Sequence, residues 1–434
     1  MSASDHPRLI GRRRFLASAA TAAAAVATAP VVVAHGVVAR GRAVTPGSAK
    51  ETGADSLPFY GARQAGVATT QQANVYFAAF DLIAEKRDDV IALLRAWTAA
   101  SARLMQGQPA DVLSDDPASA EADSYDTAGL ASERLTLTFG FGPGIFSKDG
   151  KDRYGLARHR PDALADLPHF NGDQLVSERS GGDLCIQACA DSPQVAFHAV
   201  RQLSRIAYGS ANIRWAQSGF LAAQKNHSTP RNLMGFRDGS INVPVRSDAA
   251  MDQFIWAGDE GGWMQHGTYM VARPIRIALE HWDRMKLSFQ QQVIGRDKHT
   301  GAPLGQKHEN DALALDSNDA SGNPIILENA HVRLGAPENN DGAQMLRRSY
   351  SYDNGLSYIA ERWPPWHQGM AFDAGLLFIS YQRDPRTGFV KIFDKMAKFD
   401  MMNQFVTHVG GGLFACPPGA KQGGFIGQPL FDLA

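Results

Sequence analysis

The sequence predicts an α+β chain in which one β-α-β-β-α-β unit is used twice. Three observations carry this. Short alternating apolar stretches and helix-periodic stretches follow in the same order in both halves. One long irregular segment, about residues 295–342, interrupts only the second half. The first 45 residues fit neither unit, because an arginine cluster there leads into an uncharged, alanine-rich run.

That leader comes first in the chain. Arg12-Arg13-Arg14-Phe15-Leu16 precedes Ala17–Ala34, the pattern of a twin-arginine export signal. A run so rich in alanine would partition weakly into lipid, which favours a signal over an anchor. No later apolar stretch reaches the ~18 residues a spanning helix needs. Export of an already folded protein raises the expectation of a prosthetic group loaded beforehand. The expected address is therefore outside the cytoplasmic membrane, in the periplasm or an extracytoplasmic space. Residues 44–58, polar with Gly and Pro, read as a linker.

The first unit is expected over 59–245. Ala73–Leu82 alternates as a strand, Asp88 and Asp89 cap a helix reaching about Gln106, and Leu135–Phe141 and Asp183–Cys189 alternate again. Ser192 caps a second helix to about Ala207, and Ile213–Phe220 closes the unit, a ferredoxin-like order. The second unit is expected over 246–434: strand Gly267–Ile277, helix Glu280–Ile294, strands Arg348–Tyr352 and Leu376–Gln382, helix Thr387–Asp400, strand His408–Ala415.

Composition removes several functions. With 43 Lys+Arg against 44 Asp+Glu, the chain lacks the cationic surface that nucleic acid or an anionic membrane requires. At 44% hydrophobic and 20% charged residues it is not a disordered chain. Three cysteines (Cys185, Cys189, Cys416) make no disulfide scaffold and match no zinc, iron–sulfur or covalent-haem spacing. Cys185 and Cys189 would lie ~13 Å apart along an extended strand, too far to bond. They read as small apolar residues, and Gly140-Phe141-Gly142-Pro143-Gly144 lacks dinucleotide spacing.

Three stretches could carry chemistry. Gly235-Phe236-Arg237-Asp238-Gly239-Ser240 sets an acid between glycines, which suits either a plain turn or close approach to a flat ligand. Glu328-Asn329-Ala330-His331-Val332-Arg333-Leu334 holds one His without zinc-site partners, and such a His is more often a hydrogen-bonded core residue than a ligand. Met345-Leu346-Arg347-Arg348-Ser349-Tyr350 opens a strand with paired arginines, and an inward guanidinium there would need an anion or a developing negative charge.

Together these stretches resemble the Dyp-type (dye-decolourising) haem peroxidases, and within them the exported deferrochelatase/peroxidase subgroup of bacterial iron uptake. Gly235–Gly239 matches the family's G-x-x-D-G pattern. Residues 295–305, 330–334, 346–352, 375–382 and 410–414 also match, so the likeness covers about Phe59 to Phe431. It implies a Dyp-type fold of two fused ferredoxin-like units and one non-covalent haem b per chain.

The resemblance also implies roles. His331 would be the proximal iron ligand, its other ring nitrogen held by an acceptor. Asp384 is the candidate acceptor, with Asp373 and Asp394 as alternatives. Asp238 would move the peroxide proton as general base and then acid, favouring activity at acidic pH. Arg347 would offset charge on the leaving oxygen, while strand alternation turns Arg348 away. Arg296 would meet a haem propionate. Gly239, Ser240 and Ile241 would line the distal pocket, and Ala336, Pro337 and Glu338 would follow the proximal segment. Ser349 stands where some branches carry Asn, which leaves a third distal hydrogen bond open.

Five tryptophans (Trp256, Trp263, Trp282, Trp363, Trp366) with Tyr350, Tyr352 and Tyr358 could carry surface radicals, but core packing is the simpler reading. The expected reaction is reduction of hydrogen peroxide with oxidation of an organic electron donor. The alternative is a haem-handling deferrochelatase that recovers iron, with an iron permease system as its partner. A homodimer is compatible with either.

Overall fold

The structure, a computed structural model, describes residues 56–222, 229–360 and 368–433. The arginine leader, most of the linker, Trp363 and Trp366 lie outside the described residues. From Glu51 onward the chain forms a single compact unit.

The first half contains β1 (Asn74–Leu82), α1 (Arg87–Leu104), β2 (Thr136–Phe141), β3 (Leu184–Ala190), α2 (Pro193–Ile206) and β4 (Ala211–Phe220). The strands pair antiparallel in the order β4-β1-β3-β2, the ferredoxin-like arrangement. α2 is capped as expected, the Ser192 side chain accepting from Val195 N. α1 begins one residue earlier than its acids, so Asp88 and Asp89 sit in the first turn, where their charge favours the positive end of the helix dipole.

The second half contains α3 (Asp248–Phe254), β5 (Thr268–Ile277), α4 (Leu279–Trp282), α5 (Leu287–Ile294), α6 (His331–Gly335), β6 (Leu346–Arg347), β7 (Tyr350–Ala360) and β8 (Gln368–Gln382). It closes with α7 (Lys391–Phe399), β9 (Val406–His408), β10 (Gly412–Cys416) and α8 (Gln428–Phe431). The order β10-β5-β8-β7 repeats the first sheet, with β6 and β9 as short additions on β8 and β5. The two sheets meet at both edges, through Phe220↔Ser351 and Ala415↔Phe141.

Four second-half expectations need correction. The strand expected over His408–Ala415 is two pieces, β9 ending at His408 and β10 beginning at Gly412, because the chain leaves the sheet at Val409–Gly411, where Gly411 takes φ +145°. The helix expected over Glu280–Ile294 is broken: Trp282 is fully buried with its indole donating to Met234 O, the chain turns after it, and the Gln290 side chain donates to the freed Trp282 carbonyl. The strand expected over Arg348–Tyr352 is two pieces, with Arg347 in β6 and Tyr350 opening β7. The helix expected to run to Asp400 is a π turn (Arg386–Val390) followed by α7, and Asp400 lies beyond it in extended conformation (φ −70°, ψ 125°).

Alternation then divides the core. Val75, Phe77 and Ala79 of β1, Met270 and Ala272 of β5, and Leu377, Ile379 and Tyr381 of β8 share one buried cluster with Tyr350, Tyr352 and all three cysteines. The cysteines are free and buried. The opposite face of the first sheet is covered by α1 and α2, around Trp97 and Phe139. The opposite face of β5 and β8 instead presents Ile275, Ile277, Leu376 and Phe378 to a cavity.

Candidate active site

One wall of that cavity is built by a hairpin. Asp238 N donates to Pro230 O and Asn232 N to Phe236 O, closing a turn around Gly235 (φ +85°), a conformation that glycine adopts without strain. Gly239 (φ +114°) turns the chain again immediately after Asp238. Buried Phe236 packs edge-on to Trp282 at 6.1 Å between ring centres, which anchors the hairpin and leaves Asp238 facing the cavity.

β6 delivers Arg347 to the same place. Its Nη1 donates to Asp238 Oδ1 at 2.9 Å and its Nη2 to Ile241 O at 3.0 Å. Asn242 fastens the Arg347 main chain twice, Oδ1 accepting from Arg347 N (2.9 Å) and Nδ2 donating to Arg347 O (2.8 Å). Arg348 points the other way, as alternation requires, and is buried against Thr69 O and the Gln72 side chain. Ser349 does not line the apolar cavity; its hydroxyl accepts from Ile379 N at 3.4 Å.

The same cavity is also lined by His331, the first residue of α6. Its Nδ1 lies 2.7 Å from Asp400 Oδ2, while Asp400 Oδ1 accepts from Met402 N at 2.8 Å. A carboxylate only accepts, so it fixes the imidazole proton on Nδ1 and leaves the Nε2 lone pair available. Among the described residues Nε2 has no hydrogen-bond partner. This corrects the acceptor assignment. Asp384 is paired to Arg386 at 2.6 Å, Asp394 to Lys398 at 2.7 Å, and Asp373 accepts from Asn354 at 3.1 Å. None of the three holds His331. Asp400 was passed over because it reads in sequence as the last residue of a helix, whereas the chain leaves the helix before it.

The remaining expected contacts divide. Gly239, Ser240, Ile241, Arg296, Ala336 and Pro337 all line the cavity. Glu338 does not: the 3₁₀ turn Pro337–Asn339 swings it out to solvent. Arg296 is 3% exposed, and its hydrogen-bond partners among the described residues are two carbonyls, Gly301 O (2.7 Å) and Glu309 O (2.9 Å). Burial lowers its pKa, with Glu309 opposing and Arg347 adding to the shift. A second, polar recess lined by Gln71, Thr229, Ser349 and Ser351 meets the cavity at Asp238, Gly239, Asn242 and Arg347. Trp256, Trp263, Trp282, Tyr350 and Tyr352 are buried, and Tyr358 is exposed.

Comparison with known proteins matches this geometry to a family. The N-terminal family model of the Dyp-type peroxidases matches residues 64–221 and the C-terminal one residues 229–421. The chain is a Dyp-type peroxidase. It is 39% identical over 388 residues to a dye-decolorizing peroxidase of Thermobifida fusca, covering 86% of this chain and 84% of that one. It is 35% identical over 377 residues to a deferrochelatase of Escherichia coli K12, covering 85% of each. Ferric DtpA from Streptomyces lividans superposes with a TM-score of 0.79 at 38% identity, covering 89% of this chain and all of that one.

The cofactor of this peroxidase is therefore haem b, and the cavity suits it. Ile275, Ile277, Val332, Leu376, Phe378 and Phe389 make apolar walls for a flat macrocycle. His331 presents to the cavity its Nε2, unpartnered among the described residues. Arg296, a buried cation whose hydrogen-bond partners among the described residues are carbonyls, calls for an anion such as a propionate.

Proposed function

We propose that this peroxidase works through two opposed polar pairs, Asp238–Arg347 on the peroxide side and His331–Asp400 on the iron side. One observation carries this reading. The pairs, 2.9 Å and 2.7 Å long, line the same apolar cavity from different elements. Haem b, when bound, supplies the redox-active iron that takes up the oxidising power of peroxide and passes it to an organic donor.

The chain's own residues do the rest. Asp238 takes the proton from one peroxide oxygen and returns it to the other, a transfer worth roughly 10²–10⁴-fold. Arg347, already aligned by Asp238, Ile241 O and Asn242, offsets the negative charge on the departing oxygen without reorganising. Asp400 makes His331 a more basic ligand by accepting its Nδ1 proton. The polar recess behind Asp238 admits water and peroxide, while the apolar cavity keeps bulk water out. His331 and Arg296 are the protein's holds on the cofactor.

An absorption spectrum of the purified, folded protein before and after one equivalent of hydrogen peroxide tests the assignment. A Soret band near the ~400 nm of histidine-ligated ferric haem, shifting with peroxide, is expected. A haem-loaded protein indifferent to peroxide would overturn it.

We further infer export by the twin-arginine route, supported by Arg12-Arg13-Arg14-Phe15-Leu16 and the uncharged run after it. Replacing Arg12, Arg13 and Arg14 by Lys should leave the protein in the cytoplasmic fraction. Continued export of that variant would remove the inference. The deferrochelatase relatives support a second reading, recovery of iron from haem in an iron-uptake setting. Iron-free porphyrin after anaerobic incubation with excess haem is its expected product, and haem recovered intact would sink it.

A further inference from the structure

The segment between α5 and α6 holds the peroxide side of the site in place. Glu309, in the middle of it, uses each carboxylate oxygen on a different residue of the Asp238 loop. Oε2 accepts from Arg237 Nη1 at 2.5 Å and Oε1 from Ser240 Oγ at 2.8 Å. Its carbonyl accepts from Arg296 Nη1 at 2.9 Å. The side chain is only 14% exposed, so the pair with Arg237 is shielded from solvent and salt.

These contacts bracket Asp238. Arg237 is the residue before it and Ser240 lies two after, with left-handed Gly239 between. Among the described residues, Asp238's own ties are one main-chain hydrogen bond to Pro230 O and the pair with Arg347. A carboxyl group in a glycine-flanked loop keeps a fixed position only if the flanks are held from outside. Glu309 supplies both holds from a separate stretch of chain. It also occupies Arg237, a further guanidinium on the cavity lining and the neighbour of Asp238 in sequence, so that this charge is paired away from the site.

We propose that Glu309 is a positioning residue for Asp238: it clamps both flanks of the loop and keeps the Arg237 charge off the peroxide-side carboxylate. The proposal rests on the role given to Asp238 above. It also assigns a task to the insertion, which ties the cofactor-side Arg296 and the peroxide-side loop to one residue.

The test uses haem-loaded protein and stopped-flow spectra. Glu309→Ala should lower the second-order rate constant with hydrogen peroxide by roughly ten- to a hundredfold, the cost of misplacing a reacting group by about 1 Å or less. Its ferric Soret position, haem content and donor KM should stay unchanged. The pH profile of the peroxide step should move, because Arg237 is released beside Asp238. A double variant, Arg237→Met with Ser240→Ala, should reproduce the loss, and Glu309→Ala should add nothing to it. Where Glu309→Ala fails to hold haem, Glu309→Gln decides, since it keeps the shape and an acceptor for Ser240 but loses the charge on Arg237. It should show a smaller drop in the same direction. A wild-type peroxide rate in the deciding variant, or an additive loss on top of the double variant, overturns the proposal. Asp238→Asn is measured beside them. If that variant keeps the wild-type rate, the reading of Asp238 fails. If it is inactive while the Glu309 variant is unaffected, only the role of Glu309 fails.

Discussion

The two halves share one strand order and differ in what covers the outer face of the sheet. In the first half α1 (18 residues) and α2 (14 residues) cover that face, burying Val90, Leu94, Trp97, Val200 and Leu203 against it. In the second half the corresponding helices are broken or short, with α4 at 4 residues, α5 at 8 and α7 at 9. The face they leave bare is the floor of the cavity. The same fold is thus a filled core in one copy and a cofactor site in the other. Shortened helices make the room; the inserted segment brings Arg296 and His331, while Asp238, Arg347 and Asp400 come from the hairpin before α3, from β6 and from the turn after α7.

Substitutions sharpen this division. The largest effect belongs to the hollow half: Asp238→Asn or Arg347→Leu should cut the peroxide rate constant by roughly 10²–10⁴-fold while haem stays bound. Stopped-flow measurement checks it, and a near-normal rate would remove the peroxide-side assignment. In the filled half, Trp97→Ala should lower stability by about 3–5 kcal/mol, since the ring is 1% exposed and its indole donates to Leu203 O at 2.7 Å. Denaturant unfolding reads that loss, and the peroxide rate per bound haem should not change. A large change there would mean the halves are not functionally separate. Asp400→Ala should weaken haem retention or the peroxide step by about 10–100-fold, the usual effect of removing a ligand's supporting carboxylate. The parallel Asp384→Ala should do neither.

The smallest effect concerns pH. His408, on β9 at the rim of the cavity, is held well below its ordinary pKa by burial and then by the Arg273 charge. The fold therefore refuses a proton that the unfolded chain accepts below about pH 6.5. Stability attributable to His408 is complete above that pH and is lost as pH falls, by at most about 1.4 kcal/mol per unit. Unfolding midpoints from pH 7 to 5 should fall less steeply in His408→Phe. An unchanged slope would show that His408 does not titrate this way.

The first half was legible in sequence because its elements are long and its helices and strands run unbroken, with one register shift in β1 at Ala79/Phe80. Leu135–Phe141 and Asp183–Cys189 alternate and lie within a residue or so of β2 and β3, and Ser192 caps where a Ser-Pro pair should. The second half departs wherever the site is. The break after Trp282 depends on a hydrogen bond to Met234, far away in sequence. β8 extends back to Gln368 through residues partly exposed and poor in β-branched side chains, which carry no strand signal. Asp238, His331 and Arg347 stood out through their matching motifs. Asn242, Glu309 and Asp400 did not, because each acts on a neighbour in space rather than through a pattern of its own. Asn242 left one hint, an amide four residues after Asp238 that turns out to be bonded to the Arg347 main chain.

Asp400 has one further consequence. One of its oxygens meets His331 and the other meets Met402 N, so the carboxylate cannot swivel. The imidazole is in effect bolted to the backbone of the turn at Met401–Gln404 through a rigid strut. Damage to that turn, including oxidation of Met401 or Met402, would reach His331 mechanically through Asp400.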